Sequence, residues 1–169
     1  SAPFRLRALM HPSTREKQVL RYVAQDSSLT LREGLVEYYA ANPGLIDPAE
    51  ASTPEMQAYF GNHDASHVVF GTTTDIGDET LNDIWTFFAM DVGFRDYVVA
   101  LASADEAKLI LKKTPPLALL KALVRLLWLT PVLASRSYRM TQKWHWRGWQ
   151  DHLDRPLREI RRELGLRVL

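Results

Sequence analysis

The sequence predicts an all-α fold, a single-domain multi-helix bundle covering residues 1–169. Three observations predict it. Side chains that cap helix starts recur just ahead of stretches whose apolar residues fall three and four apart, the spacing of one helix face. Alternating β-branched runs of the kind that make strands are nearly absent. Finally, 169 residues, 46% of them hydrophobic and none a cysteine, can build one core without disulfide staples. A chain of this length removes roughly 70% of its unfolded surface from water.

The elements follow in order. Ser13 with Glu16 and Thr30 with Glu33 have capping-box spacing and open helices near 14–25 and 31–41, the second stopping at Asn42-Pro43-Gly44. Asp47-Pro48 and Thr53-Pro54 each place a capping side chain before a proline at the first helical position, where the missing N–H costs nothing. From residue 54 the pattern is helical to Phe70, with Gly61 as a point where the helix could kink. Gly71 to Gly77 is a loop by composition. Asp78 onward resumes helical spacing through Leu81, Ile84, Trp85 and Phe88, and the pattern reaches past Tyr97. A short helix near 104–113 ends before Pro115-Pro116, another covers Leu117 to Leu129, and Leu133 to Leu164 reads as two or three more. Pro156 divides this last part, Gly165 is its C-terminal cap, and the mixed-sign run from Arg155 to Arg162 reads as a solvated helix face.

Charge and composition exclude several function classes. With 21 Lys and Arg against 20 Asp and Glu, the net charge of +1 argues against a nucleic-acid interface. Without cysteine, thiol catalysis and Cys-type zinc ribbons are out, and a metal site must be built from His, Asp and Glu. The longest apolar stretch, Leu117 to Ala134, is interrupted by Lys121, Arg125 and Pro131. It falls short of the ~20 uninterrupted residues a membrane span needs, which predicts a soluble chain or one lying on a membrane. The chain begins Ser1-Ala2-Pro3, and no targeting segment is read from it.

Four ligand-type residues fall in one short window: His63, Asp64, His67 and, across the loop, Glu79. On a helix, His63 and His67 at i and i+4 share a face, and Asp64 is three residues from His67, so all three can point at one spot. Gly71 and Gly77 let the chain reverse so that Glu79, in the first turn of the next helix, returns toward the same spot. Two imidazoles with carboxylates suit zinc first and iron second, whereas oxygens alone would favour magnesium or calcium. Other readings of the window stay open. The histidines could be structural, hydrogen-bonded to Asp64 and a loop threonine. The window could also belong to a metal-dependent hydrolase of the HExxH type with Asp64 in place of the glutamate base. The distant ligands a His-Asp phosphohydrolase needs find no match in His11, His145 or His152.

The stretch Phe60-Gly61-Asn62-His63-Asp64-Ala65-Ser66-His67-Val68-Val69-Phe70-Gly71, with Glu79 twelve positions beyond His67, resembles the metal-binding motif of the Coq4 family of ubiquinone-biosynthesis proteins. The Trp144–Trp149 cluster and the Arg158 to Gly165 segment resemble the way such chains end. The resemblance implies an all-helical fold and one divalent metal, usually taken as zinc, held by His63, Asp64, His67 and Glu79. It also implies a polyprenylated quinone precursor as ligand and a role in replacing the ring carboxyl at C1. Four protein ligands would fill a tetrahedral zinc, so chemistry needs a fifth position or a displaced carboxylate, with Asp64 or Glu79 as catalytic proton carrier. A non-enzymatic scaffold of a quinone-biosynthesis complex is the alternative. The expected location is the cytoplasmic face of the bacterial inner membrane, or the mitochondrial matrix side in a eukaryote, with a homo-oligomer (dimer) or a quinone-biosynthesis complex as the expected assembly.

A polyprenyl tail needs an apolar groove beside the metal, since each buried CH₂ contributes about 0.8 kcal/mol. Tyr59, Phe60, Val68 and Phe70 around the histidines, and Phe87, Phe88, Met90 and Phe94 after Glu79, are candidates for its mouth. Arg136 and Arg139 are candidate anchors for an anionic head group. The apolar face of the Leu117 helix could line a tail channel or rest on a membrane, and is equally the pattern of an ordinary bundle helix. The tryptophan cluster is read mainly as packing between C-terminal helices.

Overall fold

The computed structural model describes residues 19–45, 48, 53–93 and 115–169. Five α-helices are described: α1 (Leu31–Ala41), α2 (Pro54–Phe70), α3 (Ile76–Ala89), α4 (Pro116–Tyr138) and α5 (Leu157–Leu164), with 3₁₀ turns at Arg21–Val23 and Trp149–His152. Among the described residues there is no strand, and two isolated bridges, Thr30 to Pro156 and Met90 to Trp144, tie loops together. The fold is all-helical, as the spacing predicts. The Ser13 capping box and most of its helix, the Asp47 cap, Phe94, the pattern past Tyr97 and the 104–113 helix lie outside the described residues.

Local chemistry sets the helix limits that position the site. At the start of α1 the Thr30 hydroxyl accepts the Glu33 N–H and the Glu33 carboxylate accepts the Thr30 N–H, so two otherwise orphaned donors are satisfied. In α2 the Thr53 hydroxyl accepts the Met56 N–H, with Pro54 in the first turn. The helix passes Gly61 without a break, because the missing side chain makes room for an indole: a Cβ there would lie 3.1 Å from Trp149 Cζ2. It stops at Gly71, whose φ of 68° is the left-handed cap that favours glycine. Helix α3 begins at Ile76, inside the stretch expected as loop, and ends at Ala89, where Met90 turns extended and the Trp144 N–H donates to the Ala89 carbonyl.

Two expectations are corrected by long-range packing. Residues 116–138 form one helix, not two, and Pro131 sits inside it. A proline there forfeits one backbone bond. Leu133 is fully buried and Leu126 and Leu129 pack on the core, so tertiary contact on both sides of the proline holds the helix together. The second correction concerns Arg161, which was expected on a solvated face and is wholly buried. Its guanidinium donates to five backbone carbonyls: Val69 from Nε at 2.8 Å, Val68 and Tyr22 from Nη2 at 2.9 and 2.6 Å, and Ala24 and Gln25 from Nη1. Val68 and Val69 belong to the last turn of α2, whose carbonyls have no helical partner and carry the negative end of the helix dipole.

The core runs from Tyr22 and Tyr38 through Val68, Phe70 and Trp85 to Trp144, Leu157 and Ile160. Trp144 and Trp146 are buried, in keeping with the packing reading of the tryptophan cluster. Helices α1 and α2 approach closely at Gly34, where a Cβ would lie 2.5 Å from Val68 Cγ1. On α4, Leu117, Leu120, Leu123, Leu127 and Trp128 are exposed. Among the described residues no helix is long and apolar enough to cross a membrane.

Candidate metal centre

His63 and His67 project from one face of the buried half of α2, their rings 4.7 Å apart. Glu79, in the first turn of α3, faces them: its Oε2 lies 3.4 Å from His67 Nε2 and 3.7 Å from His63 Nε2. One ligand atom from each of the three residues falls within 4.8 Å of the others. The connecting loop is folded by Asp78, whose Oδ2 accepts the Thr73 N–H at 3.0 Å and the Thr73 hydroxyl at 2.8 Å. The Glu79 N–H donates to the Asp75 carbonyl at 2.9 Å, which fixes the start of the helix carrying the carboxylate. His67 is fully buried, while the Glu79 side chain is 34% exposed, so the point they share is reached from the Glu79 side.

The histidines are held from behind. Thr72 Oγ1 lies 2.9 Å from His67 Nδ1, and the Tyr22 hydroxyl donates to the Thr72 carbonyl at 3.0 Å. Burial, aided by the Asp78, Glu37 and Asp75 carboxylates, pushes the Tyr22 phenol well above its ordinary value, so it stays a donor. The Tyr38 ring stacks on His67 at 5.5 Å and the Tyr59 ring on His63 at 6.0 Å. A buried amide-hydroxyl pair joins the two helices: Asn82 Nδ2 donates to Ser66 Oγ at 2.9 Å, and Ser66 Oγ donates to the His63 carbonyl at 2.6 Å. Asn82 is three residues beyond Glu79, so this pair sets the register that brings the carboxylate opposite the imidazoles.

One observation tests whether these residues fit a metal. His67 Nε2 is buried and makes no hydrogen bond, although Nδ1 of the same ring is engaged by Thr72. A buried ring nitrogen without a partner is costly, and a metal ion satisfies it. Two imidazole nitrogens and one carboxylate suit zinc or iron. The residues fit.

The structure brings together three of the four residues expected as ligands. Asp64 is fully buried but turned toward α1: the Tyr39 hydroxyl donates to its Oδ2 at 3.0 Å and the Tyr38 hydroxyl to its Oδ1 at 3.4 Å. Of the groove candidates, Phe87 and Phe88 line an apolar cleft of about 470 Å³ between α3 and α4, with Ile84, Leu126, Leu127 and Pro131. Val68 and Phe70 lie instead in the closed core, Phe70 against Trp85, and Phe60 is buried beside Tyr59. Arg136 Nη1 donates to the Arg167 and Val168 carbonyls, which ties down the C-terminal residues, and Arg139 is the C-cap of α4. Sequence reasoning missed Tyr38, Tyr39 and Asn82, while the loop threonine it expected at a histidine is Thr72, and Tyr59, expected at the groove mouth, stacks on His63. The adjacent polar aromatics Tyr38-Tyr39 were the available signal, since a buried tyrosine hydroxyl requires a partner.

Fold and site together define a helical protein with a candidate two-histidine, one-carboxylate metal centre. No family model matches the chain, and neither a curated protein nor a solved structure does.

Proposed function

We propose that this chain is a metal-dependent protein of ubiquinone biosynthesis, similar to the Coq4 family, that binds a polyprenylated aromatic precursor and promotes loss of the ring carboxyl at C1. The observation that carries the reading is the gathering of His63, His67 and Glu79 around one point, with His67 Nε2 buried and unbonded. A divalent metal bound there, zinc first and iron second, supplies Lewis acidity toward a ring hydroxyl or carboxyl oxygen. With metal on Nε2, His67 Nδ1–H would donate a hydrogen bond to Thr72 Oγ1, which keeps Nε2 the ligating atom. The stacked Tyr38 and Tyr59 rings keep the imidazoles from rotating and exclude water from their faces. Glu79 is the ligand that solvent and substrate would also reach, and the carboxylate oxygen not facing the histidines is where a proton would be held or released.

The cleft between α3 and α4 supports the apolar half of the reading. Its wall includes Thr80 and Asp83, and Asp83 follows Glu79 by one helical turn, so the cleft runs along the same helix that carries the ligand carboxylate. A volume of about 470 Å³ is within the range of small-molecule sites.

Metal content and extractable lipid on the same purified sample, native against His67→Ala, test the proposal. Stoichiometric zinc or iron that is lost in the variant, with a co-purifying prenylated species, is the expected result. A native protein with neither metal after reconstitution nor lipid overturns it.

A further inference from the structure

We infer that Asp64 is a positioning residue for His63, held by the Tyr38 and Tyr39 hydroxyls, and that the metal therefore has three protein ligands and one position left for substrate or solvent. The inference rests on the metal reading of the site and deepens it. Asp64 Oδ1 lies 3.6 Å from His63 Nδ1, on the side of the ring away from Glu79, while His63 Nε2 faces Glu79 Oε2 at 3.7 Å. His67 is disposed in the same sense, with Thr72 hydrogen-bonded at Nδ1 and Glu79 at Nε2, while the Asp64 oxygen stands just beyond hydrogen-bond distance of His63 Nδ1. Both imidazoles thus present the same nitrogen to the same point, each with an oxygen behind it. Such backing fixes the tautomer of a ligating histidine and raises its basicity.

Asp64 is poorly placed to ligate. Its oxygens are not among the atoms that gather within 4.8 Å of one another, and moving there would break its bonds to the two tyrosines. The carboxylate is wholly buried, where an ionised group needs donors. Tyr39 and Tyr38 supply two, and the Nδ1–H of a metal-bound His63 would supply a third on closing the 3.6 Å to Asp64 Oδ1. Helix α1 then contributes to the site without touching the metal, and the adjacent pair Tyr38-Tyr39 acts as one clamp.

The test uses the full chain loaded with Zn²⁺, and with Co²⁺ as a spectroscopic probe whose visible absorption reports the number of ligands. Asp64→Asn keeps an oxygen that can accept from His63, and Tyr39→Phe removes only a hydroxyl. The expected result is an unchanged Co²⁺ spectrum in both variants, with Zn²⁺ affinity by chelator competition weakened about 10- to 100-fold in Asp64→Asn and less in Tyr39→Phe. His67→Ala, a lost ligand, changes the spectrum and abolishes binding. Should Asp64→Asn reproduce the His67→Ala spectrum and loss, Asp64 is a ligand and the inference fails while the metal reading stands. If the native chain takes up neither ion, both fail. Circular dichroism of the metal-free proteins controls for folding, and if Asp64→Asn does not fold, Tyr39→Phe decides: no change in affinity overturns the clamp.

Discussion

Replacing Arg161 by methionine keeps the side chain's bulk and removes a guanidinium whose five donors are spent on three buried carbonyls, those of Val69, Val68 and Tyr22, and two half-exposed ones, those of Ala24 and Gln25. At about 1–3 kcal/mol for each of the three buried carbonyls left without a partner and about 0.5–1.5 kcal/mol for each of the two half-exposed ones, the gross loss is roughly 4–12 kcal/mol. No longer holding a charge in a dry interior returns several kcal/mol, which leaves a net loss of about 3–5 kcal/mol. For a chain of this size that is a fall in melting temperature of roughly 10–15 °C. Urea and thermal melts of Arg161→Met against native protein measure it, and Arg161→Lys, which keeps the charge but not the planar fork, is expected in between. Burial lowers the Arg161 value to about 10. A base whose folded value lies below its unfolded one is destabilising while charged, and that penalty is relieved only as pH rises through about 10. The difference between native and Arg161→Met is therefore expected to be flat from pH 5 to about 9 as far as this group is concerned. A loss under about 1 kcal/mol would refute the reasoning, since the carbonyls would then have found other partners.

Other perturbations probe the parts of the site separately. Gly34→Ala forces a methyl against Val68 Cγ1 and should cost about 1–3 kcal/mol by urea titration, together with a change in near-ultraviolet dichroism as Tyr38 shifts on His67. Asn82→Ala leaves Ser66 without its amide donor and frees the register of α3, so a stability loss of about 1–3 kcal/mol should be accompanied by weaker Zn²⁺ binding in chelator competition. At Asp91, burial alone would raise the carboxyl, but hydrogen bonds from the Trp146 N–H and His145 outweigh it and hold the group below its ordinary value. A depressed folded value gives stability that is full above about pH 4 and is lost as pH falls through the folded value; Asp91→Asn should remove that part of the acid dependence. Stripping metal with a chelator should lower the melting temperature of native protein and leave His67→Ala unmoved.

How much was legible in the sequence depended on the range of the interaction. Helices α1 and α2 end where Thr30, Glu33, Thr53, Pro54 and Gly71 place them, because caps act on residues three or four away. The pairing of His63 with His67 is likewise a helix period, and the return of Glu79 follows from a short loop. Periodicity could not tell which way Asp64 turns, since residues adjacent on a helix diverge by about 100° and the deciding partners, Tyr38 and Tyr39, are on another helix. Arg161 reads as solvated beside its charged neighbours because nothing local reveals that the α2 carbonyls lie within its reach. Pro131 looks like a boundary for a related reason: the packing of Leu126, Leu129 and Leu133 that carries the helix past it is tertiary.

The guanidinium clamp also orders events during synthesis. A ribosome releases His63 and His67 long before it reaches Arg161, yet the carbonyls that close the histidine helix wait for that residue. Until then the last turn of α2 has its exposed carbonyls hydrated, and so do those of Tyr22 and Ala24, which the same side chain gathers. The nascent chain can carry the whole metal motif and still lack the lock that stiffens it. A chain that has not yet presented residue 161 therefore holds His63 and His67 on a helix whose last turn is not yet braced.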